Sequence, residues 1–179
     1  DGTPLPGQTI AFAIDSLPAG AVGQMVTAQT VTTDAFGRAS VVVKLGSKVG
    51  TYRIRATSEN LIGSPIEFRV RATVGVGHSL VYMRGDDQVN LVGSTLDEPF
   101  VARVVDVGDN PVSGIQVQFA IDTIPNGAKS QQLSVLSAAT DDSGLAATVL
   151  TLGDTPGIYR VSASMPVFKP IFFKATAVT

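Results

Sequence analysis

Cysteine is absent from the chain, so neither disulfides nor thiol chemistry can contribute. Histidine occurs once, at position 78, which leaves a Ser-His-Asp arrangement or a histidine-rich metal site without a second member. No window holds eighteen apolar residues, so no membrane-inserting helix is expected. Charge is balanced, with 13 basic and 15 acidic residues and a net charge of −2, which argues against nucleic acid as a partner. The chain has neither a signal peptide nor an initiator Met, and Asp1 reads as the start of a processed chain or of a fragment. A sustained helical period is also missing, which leaves strands as the expected elements.

What is present is a repeat. Asp15-Ser16-Leu17-Pro18-Ala19-Gly20-Ala21 returns as Asp122-Thr123-Ile124-Pro125-Asn126-Gly127-Ala128. The self-match runs without a gap from Pro4–Ala56 to Pro111–Ala163 at an offset of 107, and it marks a tandem array of one structural unit. Each copy is near ordinary domain size and can bury a core without covalent staples.

Within the copies, residues 8–14 alternate, with Ile10, Phe12 and Ile14 on one side and Val117, Phe119 and Ile121 as counterparts. Residues 25–33, rich in Thr and Val, predict one further strand that ends at Asp34-Ala-Phe-Gly37. That tetrapeptide and its counterpart Asp141-Asp-Ser-Gly144 have the type I turn signature of a tight hairpin. The next strand directs Ala39, Val41, Val43 and Leu45 inward, matched by Ala146, Thr148, Leu150 and Leu152. Tyr52, Ile54 and Ala56 then alternate with Arg53 and Arg55. A last strand turns Ile66, Phe68, Val70 and Ala72 inward, with Ile171, Phe173, Ala175 and Ala177 as partners after a two-residue deletion. Short strands separated by turn signals predict an all-β sandwich.

The copies differ at their fronts. Residues 78–107 precede the matching part of the second copy, with strands expected near Leu80–Met83 and Phe100–Val105, and the first copy has no equivalent. Two domains follow, residues 1–75 and residues 76–179, joined by the short, barely polar segment 73–77.

Several segments in order resemble the group 1 bacterial immunoglobulin-like domain, the stalk repeat of invasin and intimin. They are Gly85-Asp-Asp-Gln88, Gly93-Ser-Thr-Leu96, Pro99-Phe-Val-Ala-Arg-Val-Val-Asp106, Gly108-Asp-Asn-Pro111-Val-Ser-Gly114, Gln116-Val-Gln-Phe119, Thr140-Asp-Asp-Ser-Gly144 and Pro156-Gly157. In the first copy, Asp1-Gly-Thr-Pro4-Leu-Pro-Gly7 and Thr33-Asp-Ala-Phe-Gly37 are similar to the same landmarks. The resemblance implies two tandem immunoglobulin-like β-sandwich domains, the first lacking its opening strands. It also implies an extracellular or cell-surface bacterial protein in which such domains act as spacers and adhesion modules. It carries over no catalytic residue and no cofactor. A Lys–Asn cross-link, known in surface modules, should recur with the repeat, yet Lys44 and Lys48 align with Thr151 and Thr155.

The remaining candidates are surfaces. His78, beside the joint, reads as a solvated linker residue. Asp15 with Asp122 and Asp34 with Asp141 recur, but isolated aspartates at turn starts more often bond their own backbone than a metal. Residues 1–76 carry a net +2 and residues 77–179 a net −4. If the last two strands of the first copy are neighbours, Arg53, Arg55, Arg69 and Arg71 share one outer face, where like charges call for something anionic nearby. The candidate partner is the acidic front of the second copy, Asp86, Asp87, Asp97 and Glu98, on another copy of the chain, a head-to-tail contact that could propagate. Two functions compete: a non-catalytic spacer or adhesion module, and a subunit of an extracellular assembly. In the second, the incomplete first domain is completed by a strand from a neighbouring chain.

Overall fold

Strand boundaries repeat at the same offset as the sequence. A computed structural model describes residues 2–59 and 61–179, and the chain divides into two units, Asp1–Thr73 and Val74–Thr179. Asp1, the expected start of a landmark segment, lies outside the described residues. Among the described residues every regular element is a strand, and no helix is long and apolar enough to cross a membrane.

Unit 1 contains β1 (Thr9–Ser16), β2 (Met25–Val26), β3 (Thr30–Thr32), β4 (Val43–Lys44), β5 (Gly50–Thr57) and β6 (Ile66–Ala72). Four of them form one antiparallel sheet in the order β3-β1-β5-β6, and β2 pairs separately with β4. Unit 2 adds β7 (Ser79–Arg84), β8 (Gln88–Leu91) and β9 (Phe100–Val105) at its front. It then repeats the pattern as β10 (Gln116–Thr123), β11 (Gln132–Leu133), β12 (Ser137–Ala139), β13 (Leu145–Thr148), β14 (Leu150–Thr151), β15 (Gly157–Ser164) and β16 (Ile171–Val178). Its larger sheet has the order β12-β10-β15-β16-β8, with β8 parallel to β16, and β13-β9-β7 forms the facing sheet.

Three expectations need correction. Residues 25–33 do not form one strand: the run breaks at 27–29, and its two ends join different sheets, as do β11 and β12 in unit 2. The Asp34 and Asp141 turns form with the expected bond, from Gly37 N–H to Asp34 O at 2.9 Å and from Gly144 N–H to Asp141 O at 2.8 Å. They are arches between sheets, however, since β12 and β13 belong to different ones. Each aspartate also accepts backbone N–H bonds through its own carboxylate, from Phe36 and Arg38 in one copy and from Ser143 and Leu145 in the other. Third, residues 39–41 form no strand in unit 1, whereas their counterparts in β13 do. The cause is a missing partner: β13 is laddered to β9, from Leu145↔Arg103 to Thr148↔Phe100, and no counterpart of β9 lies among the described residues of unit 1.

That missing layer decides the cores. In unit 2, Leu80, Phe100, Ala102 and Val104 from the facing sheet close over Phe119, Leu150, Tyr159, Val161, Phe173 and Ala175, all fully or nearly fully buried. In unit 1 the buried cluster shrinks to Ala21, Tyr52 and Ile54, with Val43, Leu45 and Ala72 half-buried beside it. Phe12 and Tyr52 are buried as expected, matching Phe119 and Tyr159. Ile66, Phe68 and Val70 are not: they point to the core side, but Phe68 is 49% and Val70 39% exposed where Phe173 and Ala175 are both at 0%.

Small repeated bonds brace both units. Tyr52 donates its hydroxyl to Lys48 O and Tyr159 to Thr155 O, each at 2.8 Å, the back-bond that fixes a tyrosine at the start of an immunoglobulin-like strand. Thr33 donates to Leu5 O and accepts from Gln8 N–H, as Thr140 does with Val112 O and Ile115 N–H. Gly153 lies against the tyrosine bond. A Cβ there would meet Lys129 O at 2.6 Å and Tyr159 Oη at 2.8 Å. Gly153→Ala should therefore destabilise unit 2 by about 2 kcal/mol through overpacking, read by chemical denaturation. At the equivalent Gly46 a Cβ would meet the side-chain Gln24 Oε1 at 2.8 Å and Tyr52 Oη at 3.0 Å, but the nearest backbone atom, Val22 O, is at 3.1 Å, and Gly46→Ala should cost unit 1 less.

Candidate functional site

The arginine face forms as expected in its geometry. Antiparallel pairing of β5 with β6 sets Arg53 directly opposite Arg69, Arg55 opposite Glu67 and Thr51 opposite Arg71. What the charge count did not reveal is the neutralising set within the same unit. Glu67 Oε1 accepts from Arg69 Nε at 2.7 Å and from Arg53 Nη1 at 3.3 Å, and Arg55 Nη2 lies 2.6 Å from Asp15 Oδ1. Arg69's hydrogen bond, with the Arg53 guanidinium beside it, holds the Glu67 carboxyl below the usual glutamate range. Arg71 alone of the four has no ion pair among the described residues.

The acidic front is likewise divided. Asp87 forms a 2.5 Å ion pair with Lys174 Nζ, and Asp86 accepts the Lys174 backbone N–H. The bond to Asp87 pushes the Lys174 ammonium above the ordinary lysine range. Gln88 draws the 97–98 turn to the same place, donating to Gly85 O and Glu98 O and accepting from Glu98 N–H. Asp97 and Glu98 remain exposed, with no ion pair among the described residues. The need for an anion from another molecule, which followed from like charges side by side, is thus met inside unit 1. Glu67→Gln should lower the stability of unit 1 at low salt, and the loss should shrink at high salt, as screened Arg–Arg repulsion requires. Thermal melts at the two ionic strengths check this.

Other sequence candidates are absorbed by the fold. Asp15 and Asp122 pair with Arg55 and Arg160, while Asp34 and Asp141 are spent on their turns. His78 is exposed but is no linker residue. Its N–H donates to Val105 O at the start of β7, and its ring meets Phe168 edge-on at 6.2 Å.

Two features were not found by sequence reasoning. The first is Asp106, 8% exposed at the end of β9. Its Oδ1 accepts from Gly108 N–H, Asn110 N–H and Asn110 Nδ2, and its Oδ2 from Gly75 N–H at 2.9 Å. Burial alone would raise this carboxyl, but the bonds from Gly75, Asn110 and Gly108 outweigh it and hold it below the ordinary aspartate range. The second is an open apolar groove of about 320 Å³ on the inner face of unit 1, lined chiefly by Phe12, Val41, Val43, Ile54, Phe68 and Val70. No repeat-based reading shows a groove directly, but the absent counterpart of residues 78–107 was its signal.

Both units thus present immunoglobulin-like strand order, with the back-bonded tyrosine at its place in each and one unit carrying its front layer. No family model matches the chain. The chain is 30% identical over 164 residues to the inverse autotransporter adhesin YeeJ of Escherichia coli (strain K12), an alignment that takes in 91% of this chain and 6% of that protein. Among solved structures, the D0-D1 domain of intimin is similar at 22% identity, covering 99% of this chain and 85% of that one, with a TM-score of 0.39. The adhesin InvE of Yersinia pseudotuberculosis is similar at 14% identity, covering 99% and 51%, with a TM-score of 0.49. The chain folds as two tandem immunoglobulin-like β-sandwich units. It spans about 6% of the length of the curated relative it matches.

Proposed function

We propose that the chain is a non-catalytic structural segment of a bacterial surface adhesin, two immunoglobulin-like modules that serve as a spacer outside the cell. The observation that carries this reading is the similarity along 91% of the chain to 6% of a far longer adhesin. The spending of polar groups supports it: recurrent aspartates close turns or pair with arginines, and the lone histidine pairs in a ladder through its backbone. Arg53 and Arg69 pair with Glu67, Arg55 pairs with Asp15 and Lys174 with Asp87, so these charges are already partnered by neighbouring side chains. Adhesion assays separate a spacer from a binding head. The purified chain should show no saturable binding to host cells, and exchanging it within its parent protein for two unrelated immunoglobulin-like modules should leave adhesion intact. Saturable cell binding by the purified chain would overturn the reading.

A second reading is favoured by one observation, the open inner face of unit 1. It is that of an assembly subunit whose first domain receives a strand from a neighbouring chain. Sedimentation of the chain alone tests it: concentration-dependent association should disappear in a Phe68→Asp variant.

A further inference from the structure

The turn that follows β10 in unit 2 carries the sequence's one asparagine–glycine pair, Asn126-Gly127. Ala128 N–H donates to Pro125 O at 3.1 Å, and Gly127 sits at φ +81°, the third position of a type II turn, where a residue without Cβ is favoured. Asn126 is exposed, and neither its side-chain amide nor the Gly127 N–H is hydrogen-bonded among the described residues. A Cβ on Gly127 would meet nothing within 4 Å, so the peptide between the two residues lies open to water. The other asparagines lack this combination. Asn60 and Asn90 precede leucines, whose side chains crowd the following nitrogen, and Asn110 precedes a proline, which has no N–H to give up. The same turn occurs in unit 1, with a 3.1 Å bond from Ala21 N–H to Pro18 O and Gly20 at φ +72°, but there the pair is Ala19-Gly20. The fold thus asks for the glycine and leaves the residue before it free.

We infer that Asn126 is a site of self-modification, where the exposed turn converts its asparagine into aspartate and isoaspartate with water as co-reactant. The Gly127 nitrogen attacks Cγ of Asn126 and gives its proton to solvent. The Cγ–Nδ2 bond then breaks, and ammonia leaves with a proton taken from water. Nucleophile and electrophile are neighbours in one chain, which supplies proximity, and glycine supplies the backbone freedom to close the ring. Closure requires the Asn126 Cα–C bond to rotate out of the type II arrangement, against the 3.1 Å turn bond. Water next opens the succinimide. Cleavage between the ring nitrogen and Cγ restores the ordinary backbone with an aspartate side chain. Cleavage between that nitrogen and the backbone carbonyl carbon leaves isoaspartate, whose chain runs through Cβ and Cγ and is one atom longer. No electrons are exchanged: water enters, ammonia leaves and one negative charge is gained. The longer product is the damaging one. Pro125 lies so near Gly157 that a Cβ there would stand 2.9 Å from the proline Cγ, and Ala128, 8% exposed, belongs to the core cluster of unit 2. Both ends of the turn are therefore fixed, and an extra backbone atom between them breaks the Ala128 bond. This turn ages in unit 2 and not in unit 1. The inference holds whether the chain is a spacer or an assembly subunit.

Incubating the whole chain at mildly alkaline pH and body temperature tests this, read by peptide mapping with mass spectrometry and by isoaspartyl methyltransferase labelling. The peptide containing residue 126 should gain the mass of an amide-to-acid exchange, and the methyl label, ahead of any peptide containing Asn60, Asn90 or Asn110. Amide hydrogen exchange on the aged chain should show protection lost at Ala128 and weakened in β10 and β15, while β1 and β5 keep theirs. Asn126→Ala, which copies Ala19, should fold, show no conversion at this turn and hold unit 2 stable through the same incubation. Asn126→Gln, which has to close a larger ring, should convert at least about tenfold more slowly. An unconverted residue 126 in the folded chain, under conditions where the same chain in denaturant converts there, would overturn the site. So would earlier conversion at Asn60 or Asn90. Isoaspartate at 126 with unchanged protection at Ala128 would overturn the breaking of the turn.

Discussion

Replacing Phe173 by alanine should cost unit 2 about 3–5 kcal/mol, whereas Phe68→Ala at the equivalent place should change unit 1 by less than about 1 kcal/mol. The residue type and strand position are the same, and only the cover differs. Phe173 is wholly buried, stacked on Phe100 and touched by Tyr82, so its truncation opens a cavity in a closed core. Phe68 is 49% exposed over an open groove, and the removed ring leaves no cavity because water already reaches it. Against a total stability of 5–15 kcal/mol typical of a domain, the first loss is severe and the second marginal. Native-state hydrogen exchange separates the units, since β15 amides report one and β5 amides the other. Equal costs at the two positions would mean that the trough of unit 1 is filled in solution.

The repeat made most of this legible. Strands β1 and β10, and β5 and β15, begin and end at equivalent residues, because the alternation that defines them recurs, as do Gly50 and Gly157 at the start of β5 and β15. Where the reading failed, the missing information was a partner distant in sequence. Residues 39–41 alternate as well as any strand here, yet a strand is a pairing, and theirs is absent. Strand β8 was missed because Gln88–Leu91 is only four residues long, and it is held by parallel pairing with residues 175–178 almost ninety positions on. The arginine face was placed correctly by period-two reasoning. Its neutralisation was half legible: Glu67 sits two residues from Arg69 on the same face, whereas Asp15 reaches Arg55 only through the β1–β5 pairing and its bulge at Ile14/Ser16.

Asp106 is the residue that the sequence marked only as part of a resemblance, and its removal should produce the second large effect. Its carboxylate gathers the N–H groups of Gly75, Gly108 and Asn110 and the Asn110 amide, tying the start of unit 2 and the 108–110 turn to the end of β9. Asp106→Ala takes one acceptor from several partly buried donors at once and should destabilise unit 2 by about 3 kcal/mol. Asp106→Asn keeps the shape but sets an N–H against one of those donors, so it should fall between the parent and the alanine variant. The pH dependence follows from the sign of the shift. The folded carboxyl is held below its unfolded value. Its contribution is therefore complete above the ordinary aspartate range, about pH 4, and is lost as pH falls through the lower folded value. The stability of unit 2, followed by the exchange of its amides from neutral to acid pH, should drop below about pH 4 in the parent. The difference between parent and Asp106→Asn should be constant above that range and should close below it. A difference that stayed the same at acid pH would show that the ionised carboxylate is not what holds Gly75 and the turn together.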